Sequence, residues 1–365
     1  MLKGKISLWN RSGIFSSMLA LLLCIAMCFE CVPFYTVAAE ETEETGTYKT
    51  KAISWLVGEK DDVSGWGDTD LINDTANALT ILGREGKPTD STFLEKWKGS
   101  HKDMNTDEMV HIARAEYMSA DSKEAESLLS DIMSRQNPDG GFGLTEEYES
   151  DVYDTVLALS AVCAQAVATP TDATADYSNA AGDAAFYLAG KQKSDGGYAY
   201  TDASDSSPYL TAYAGMILSM CGCDDLPAWT ALDAYCQDRF TGELSEDTFA
   251  EQAVLAMYMY RRELIQDADA FEEKLHSVQG SDGSVYGDIT DTIWYILLLD
   301  EIDSYHTLRL SITNVETETD TYVLEAGETQ SLSLHTDISY DTNQNVTMNV
   351  RYTITEDGEA TASVT

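Results

Sequence analysis

The chain has 365 residues, of which 63 are acidic and 22 are basic, so its formal net charge is −41. A surface this negative repels phosphate groups, which argues against nucleic acid and anionic membranes as partners. The hydrophobic fraction of 44% is sufficient for a folded core, and the length allows one large domain with a smaller one. The acidity itself is explained most simply by solubility in an extracellular setting.

The first 39 residues have the pattern of a secretory signal peptide. Lys3, Lys5 and Arg11 form a positive segment, residues 14–29 are apolar, and small residues around Ala39 suit a signal peptidase. The apolar run is short for a transmembrane helix. We therefore expect a secreted or cell-surface protein that has no membrane span after cleavage, with residues 40–46 as an acidic linker.

Four cysteines remain after the predicted signal peptide. In an exported chain they could form a disulfide, although Cys163 lies within an apolar helical pattern that suits a buried thiol equally well. No histidine lies near them in the sequence, so no zinc site is predicted. The other three are Cys221, Cys223 and Cys236.

Helical patterns of two kinds alternate between residues 47 and 303. One kind is amphipathic, as expected of outer helices with one wet face, and the other is apolar nearly all round, which requires burial. Two concentric rings satisfy both requirements. The amphipathic segments span residues 48–59, 90–97, 122–136, 177–191, 227–238 and 267–278; the apolar segments span 71–82, 105–118, 151–166, 246–262 and 289–299, with a sixth beginning at Pro208.

From residue 304 to residue 365 the hydrophobic period changes to the strict alternation of β-strands, as at Leu308, Leu310 and Ile312. Gly-containing turn signals separate the alternating runs. We expect a partial antiparallel β-module of immunoglobulin-like type, which is either truncated or unusually small.

One short pattern recurs at the corners between these helices, and self-similarity of this kind is typical of repeat architectures. In each copy the helix that follows carries a Thr, at Thr75, Thr155, Thr211 or Thr292. The copies read Gln136-Asn-Pro-Asp139-Gly140-Gly141-Phe142-Gly143, Gln192-Lys-Ser-Asp195-Gly196-Gly197-Tyr198 and Gln279-Gly-Ser-Asp282-Gly283, with a looser one beginning at Glu59.

These corners, each followed by an apolar helix headed by Asp or Thr, resemble the repeats of the terpenoid cyclase/protein prenyltransferase superfamily. The resemblance implies an all-α (α/α)6 toroid over residues 47–303, with six inner helices inside six outer ones. It also implies that Gln136, Asp139 and Phe142 are scaffold. The Gln side chain would bind free backbone groups at a helix end, and the Gly pair would allow a tight reversal.

The resemblance does not select one activity. Class II triterpene cyclases carry an Asp-x-Asp-Asp acid; the nearest runs here, Asp151-Val-Tyr-Asp154 and Asp288-Ile-Thr-Asp291, have a different spacing. Protein prenyltransferases hold zinc with Asp, Cys and His; Cys223 and Asp224 are adjacent here, but His276 falls on an outer helix. The Gly-Cys-Gly-Glu-Gln thioester sequence is absent from the chain.

The order of signal peptide, toroid and β-module is similar to that of the exported cobalamin carriers. We therefore expect a non-catalytic toroid without a cofactor, which binds a small apolar or planar ligand or a surface partner. The alternative is a terpenoid-cyclase-like enzyme or lyase. It would use lumen carboxylates such as Asp151 and Asp154, with Trp294 stabilising cationic intermediates.

The candidate binding residues are polar and aromatic side chains near the starts of the inner helices, where they would face the lumen. N-capping is the simpler explanation for Asp74, Asp154 and Asp291. His111, Tyr213 and Trp294 lie a turn or more further in, where they suit an apolar ligand or a satisfied core. The other candidates are Asn73, Asp151, Tyr209, Asp247 and Glu251.

Overall fold

The computed structural model describes residues 43–67, 72–87, 91–98, 101–119, 122–168, 174–223, 226–308, 310–317, 334–340, 350–354 and 360–364. The predicted signal peptide lies outside these residues. None of the helices in these ranges has both the length and the apolar character that a membrane span requires.

Twelve α-helices lie between residues 43 and 308 in the part of the chain that the structure describes. They alternate between an outer and an inner set, and a short 3-10 helix, His101–Asp103, precedes the second inner helix. The outer set is α1 (Glu43–Gly58), α3 (Ser91–Trp97), α5 (Ser122–Ser134), α7 (Thr174–Lys191), α9 (Trp229–Arg239) and α11 (Ala268–Ser277). The inner set is α2 (Ile72–Arg84), α4 (Thr106–Met118), α6 (Val152–Ala168), α8 (Pro208–Met220), α10 (Phe249–Arg261) and α12 (Ile289–Leu308).

The inner helices form a closed ring. Each packs against the next from α2 to α12, and α12 packs back against α2. Outer helices cover this ring: α5, for example, contacts both α4 and α6, and α1 contacts both α12 and α2. The prediction of an all-α toroid agrees with this arrangement.

Burial follows the two hydrophobic patterns. In the inner helix α10, every residue from Gln252 to Tyr260 is buried, because neighbours surround it on all sides. In the outer helix α5 the buried residues are spaced by three and four positions, so that one stripe faces the inner ring and the rest meets water. These residues are Ala125, Leu128, Leu129 and Ile132.

Where the recurring corner occurs, it links an outer helix to the next outer helix as well as to its inner partner. The Gln136 Nε2 donates to the carbonyl of Gly140 within the corner, at 2.9 Å, and to the carbonyl of Ala180 on α7, at 2.8 Å. The side chain of Thr155, on the following inner helix, accepts a hydrogen bond from the Phe142 N–H at 2.9 Å. The scaffold role of the motif is thus visible in its hydrogen bonds.

The third corner closes the outer ring. The Gln279 Nε2 donates to the carbonyl of Gly283 and to the carbonyl of Tyr48 on α1, each at 2.9 Å, although Gln279 and Tyr48 are 231 residues apart. One side chain therefore links the last outer helix to the first. The Thr contact also recurs: Trp66, Tyr198 and Val285 donate backbone hydrogen bonds to Thr75, Thr211 and Thr292.

Replacing Gln279 with Ala should lower the free energy of unfolding by about 1–2 kcal/mol, because two backbone carbonyls lose their donor. Urea unfolding followed by circular dichroism measures this. Gln237 is exposed on α9 and provides the control: Gln237→Ala should change stability by less than about 0.5 kcal/mol. Equal effects from the two variants would contradict the closing role of Gln279.

Three predicted boundaries differ from the structure. Helix α1 begins at Glu43, inside the predicted linker. Acidic residues are favourable in the first turn of a helix, so the acidic composition of this segment suited a helix as well as a linker. Helix α12 continues to Leu308, so residues 304–308 belong to the helical part. Pro227 lies before α9, which begins at Trp229, although Pro208 does occupy the first position of α8 as predicted.

The chain beyond α12 contains four described strands in two antiparallel pairs. Strand β1 (Leu310–Thr317) pairs with β2 (Leu334–Tyr340), with a bulge between Ile312 and Asn314. Strand β3 (Val350–Ile354) pairs with β4 (Ala360–Val364). The immunoglobulin-like arrangement of these strands stays a prediction.

The four cysteines that follow the predicted signal peptide all fall within the described residues, and no disulfide joins them there. Cys163, Cys221 and Cys236 are buried. Burial raises the pKa of Cys221, and the neighbouring thiol of Cys163 acts in the same direction.

Candidate functional site

The first turns of successive inner helices place their side chains in contact along the inner face of the ring. Asn73 on α2 and Asp107 on α4 are each the second residue of their helix, and the Asn73 Nδ2 donates to the Asp107 Oδ2 at 2.6 Å. Tyr153, at the same position of α6, donates its hydroxyl to the Asp107 Oδ1 at 3.4 Å. One carboxylate thereby connects three neighbouring helices.

Asp107 also pairs with His111, one turn further along α4. The His111 Nε2 lies 3.1 Å from the Asp107 Oδ1. Burial alone would raise the pKa of Asp107, but the hydrogen bond and the charge of His111, together with the hydrogen bonds from Asn73 and Tyr153, outweigh it and hold that pKa below its usual range. In the neutral imidazole, donation from Nε2 to the carboxylate leaves Nδ1 as an acceptor. That Nδ1 is buried and has no hydrogen-bond partner in the described part of the protein.

Asp154 lies in the first turn of α6 but does not cap it. The cap is Asp151, whose Oδ1 accepts the backbone N–H of Asp154 at 2.9 Å. Asp154 itself is only 3% exposed, and its Oδ1 has no hydrogen-bond partner among the described residues. Helix α12 has the same arrangement, since the Asp288 side chain accepts the backbone N–H of Asp291 at 2.9 Å. The capping interpretation therefore fits Asp151 and Asp288, not Asp154 and Asp291.

The environment of Asp154 favours its neutral form. Burial, followed by the hydrogen bond and charge of Asp151 and the charge of Asp107, raises the pKa of Asp154 to about 8. Burial and the charges of Asp288 and Glu246 raise the pKa of Asp291 to about 6. This environment favours the protonated form of Asp154, whereas the lowered pKa of the nearby Asp107 favours its carboxylate.

Three aromatic rings form a cluster across the inside of the ring. On α8, the ring centroids of Tyr209 and Tyr213 are 6.1 Å apart. The indole of Trp294 on α12 approaches them edge-on, at 6.0 Å from Tyr209 and 6.4 Å from Tyr213. Because α10 lies between α8 and α12 in the ring, these contacts cross the lumen. The three rings therefore pack against one another inside the ring of inner helices.

The structure thus gathers many of the predicted residues, namely Asn73, His111, Asp154, Tyr209, Tyr213 and Trp294, on the inner face. Asp74 accepts a hydrogen bond from Thr290 at 3.1 Å and thereby links α2 to α12. Asp247 is exposed, and Glu251 is half-buried. The prediction missed Asp107 and Tyr153. Their position in the helix could have identified them, because each is the second residue of an inner helix, as Asn73 and Tyr209 are.

The protonated state of Asp154 predicts a pH-dependent stability. The folded chain retains a proton that the unfolded chain releases above about pH 4, so the free energy of unfolding falls as pH rises towards about 8. The slope contributed by this group is at most about 1.4 kcal/mol per pH unit. Chemical unfolding between pH 5 and pH 9 should show a flatter profile in Asp154→Asn than in the wild type. Parallel profiles would contradict the raised pKa.

Comparisons with known proteins are consistent with this fold. No family model matches the chain, and no curated protein matches it. Among solved structures, it is similar to two forms of the type II terpene cyclase MstE from Scytonema. The ligand-free form has a TM-score of 0.53 at 14% identity and covers 74% of this chain and 100% of its own. The complex with geranylgeranyl dihydroxybenzoate, its substrate, has a TM-score of 0.50 at 14% identity, with coverages of 73% and 99%. The chain therefore has a terpenoid-cyclase-like fold.

Proposed function

We propose that this protein is a terpenoid-cyclase-like enzyme that binds an isoprenoid substrate in the lumen and protonates one of its double bonds. The observation that carries the proposal is the buried carboxyl group of Asp154, whose Oδ1 has no hydrogen-bond partner among the described residues and whose pKa is raised by burial. The aromatic cluster of Tyr209, Tyr213 and Trp294 supports it. The fold shared with a cyclase that takes a geranylgeranyl substrate is a further support.

The proposed reaction conserves atoms and charge. The π electrons of a double bond take the proton of Asp154, which leaves a carbocation and an Asp154 carboxylate. A second double bond of the same chain attacks the cation and closes a ring, while the faces of Trp294 and the Tyr rings stabilise positive charge. Loss of a proton from the final cation, for which the free Nδ1 of His111 is a suitable acceptor, gives a product isomeric with the substrate.

The raised pKa makes the proton available and does not by itself make a strong acid. What favours transfer in this site is the ion pair formed afterwards, because opposite charges attract strongly where water is excluded. Asp151 acts in the opposite direction, because its hydrogen bond to Asp154 and its charge both favour the protonated form of Asp154.

The direct test is incubation of the purified chain with geranylgeranyl-bearing substrates, both neutral and anionic, followed by mass spectrometry. We expect a product of unchanged mass with fewer double bonds, formed by the wild type and not by Asp154→Asn. Recovery of every substrate unchanged from the wild type would overturn the proposed activity.

A second candidate function is ligand binding without turnover, and the absence of an Asp-x-Asp-Asp run favours it. The same lumen would then hold an apolar ligand, with Asn73 Oδ1 and His111 Nδ1 as unoccupied polar contacts. Tight binding of a prenyl chain that is never converted is the result expected for this function.

We also propose that the protein is exported by a signal peptide over residues 1–39, and that the strands after α12 belong to an immunoglobulin-like module at the cell surface. The positive, apolar and small-residue segments of the leader support export. Two antiparallel strand pairs support the module. N-terminal sequencing of the protein recovered from the medium or cell surface should begin near Glu40. A chain recovered from that fraction with its leader intact would contradict cleavage.

A further inference from the structure

Arg114 places a cation on the inner face of the ring. It follows Asp107 and His111 on α4 at a spacing of four and then three residues, so the three side chains share one face of the helix. Its Nη2 donates to the Oγ of Ser160 on α6 and, at 3.4 Å, to the hydroxyl of Tyr213 on α8. Both acceptors are neutral hydroxyl groups.

Arg114 has no carboxylate partner in the described part of the chain, in contrast to the arginines at the far ends of other inner helices. Arg84 pairs with Asp300, and Arg261 pairs with Glu301 at 2.5 Å. A chain with 63 acidic residues has many carboxylates to spare. A partly buried cation held by hydroxyl groups alone is costly unless a counter-charge reaches it.

We propose that Arg114 binds the anionic head group of the lumen ligand, a carboxylate or a phosphate, while the apolar tail lies against Tyr213, Tyr209 and Trp294. This inference rests on the proposed function and adds the substrate class. A guanidinium presents five donors in a planar fork that matches carboxylate and phosphate oxygens, and only its Nη2 is hydrogen-bonded to the described residues. Tyr213 contacts both the guanidinium and the aromatic cluster, so head and tail sites are continuous.

The position of Arg114 also orients the ligand. It lies seven residues after Asp107, which is roughly 10 Å along the axis of α4 at 1.5 Å per residue. Ser160 lies six residues after Asp154 on α6, roughly 9 Å. The head group would therefore bind deep in the lumen, and the double bond to be protonated would lie near the first turns of the helices. This separation keeps the guanidinium away from the developing carbocation.

The test compares three ligands with the same geranylgeranyl chain, ending in a carboxylate, a diphosphate or an alcohol, by isothermal titration calorimetry on the purified full chain. We expect at least one anion to bind roughly 10- to 100-fold more tightly than the alcohol, as a charge-assisted hydrogen-bond pair predicts. The stronger of the two anions identifies the head group. Arg114→Gln should abolish the preference, and Arg114→Lys should retain part of it.

Arg239 on the exposed side of α9 provides the matched control. Arg239→Gln should bind all three ligands as the wild type does. Equal wild-type affinity for the alcohol and both anions would overturn the proposal even if Arg114→Gln did not fold. A preference that persists in a folded Arg114→Gln would also overturn it.

The two proposals fail separately. Binding of an anion that depends on Arg114, without conversion of any ligand, would support the head-group site and count against the enzymatic function. Conversion of the alcohol by the wild type, with no preference for an anion, would support the enzyme and remove the head-group site.

Discussion

Replacing Asp154 with Asn is expected to lower the turnover of a cyclisable polyprenyl substrate by roughly 10²–10⁴-fold, the range for loss of a general acid. An amide of nearly the same shape cannot supply the proton, but it can fill the same buried space. Substrate affinity should change little, so the loss should appear in kcat. Asp238→Asn, on the exposed side of the outer helix α9, is the matched control and should retain full activity.

The pH dependence of the reaction gives the same variant a second readout. Wild-type activity should fall as pH rises through about 8, because Asp154 then loses the proton that it donates. A rate that stays constant to pH 10, or an Asp154→Asn variant with wild-type kcat, would assign the acid to another residue.

Replacing Gly196 with Ala should destabilise the toroid by about 3 kcal/mol or more, since two costs combine at one position. Its φ of +89° is a backbone conformation that favours glycine. An added Cβ would also meet the backbone carbonyl of Ala231 on the next outer helix, which cannot move aside as a side chain could.

Gly190, near the end of α7, provides the control for this substitution. A Cβ there would have no neighbouring atom within 4 Å. Gly190→Ala should therefore raise stability by about 0.5–1 kcal/mol, through better helix propensity. Urea denaturation of both variants measures the contrast. A Gly196→Ala variant as stable as the wild type would show that the corner does not need its close approach to α9.

The helices could be predicted from the sequence because each level of the pattern pointed to the same fold. Apolar periodicity distinguished the inner helices from the outer ones. The corner motif predicted a hydrogen bond from the Gln side chain to the backbone, and Gln136 does donate to the Gly140 carbonyl. Boundaries were less predictable. The acidic start of α1 suited a linker and a helix equally, and α12 continued past the point where alternation began.

The site was harder to predict because its chemistry depends on neighbours that are distant in the sequence. Asp151 and Asp154 lie three residues apart, and either could cap α6; only burial distinguishes the capping carboxylate from the protonated one. The role of Asp107 in the site depends on its hydrogen bonds with Asn73 and Tyr153, which lie on two other helices. The absence of an Asp-x-Asp-Asp run favoured a non-catalytic toroid. A sequence motif does not reveal a carboxyl group whose protonation depends on residues that are distant in the sequence.

The most direct test of proton donation by Asp154 is the reaction of the wild-type protein with a geranylgeranyl-bearing substrate in D₂O, with the product analysed by mass spectrometry and NMR. Asp154 exchanges its proton with solvent, so the account predicts one deuterium per product molecule. It should be bound to the carbon that was protonated, and Asp154→Asn should give no labelled product. A cyclised product without deuterium, or an equally labelled product from Asp154→Asn, would contradict the account.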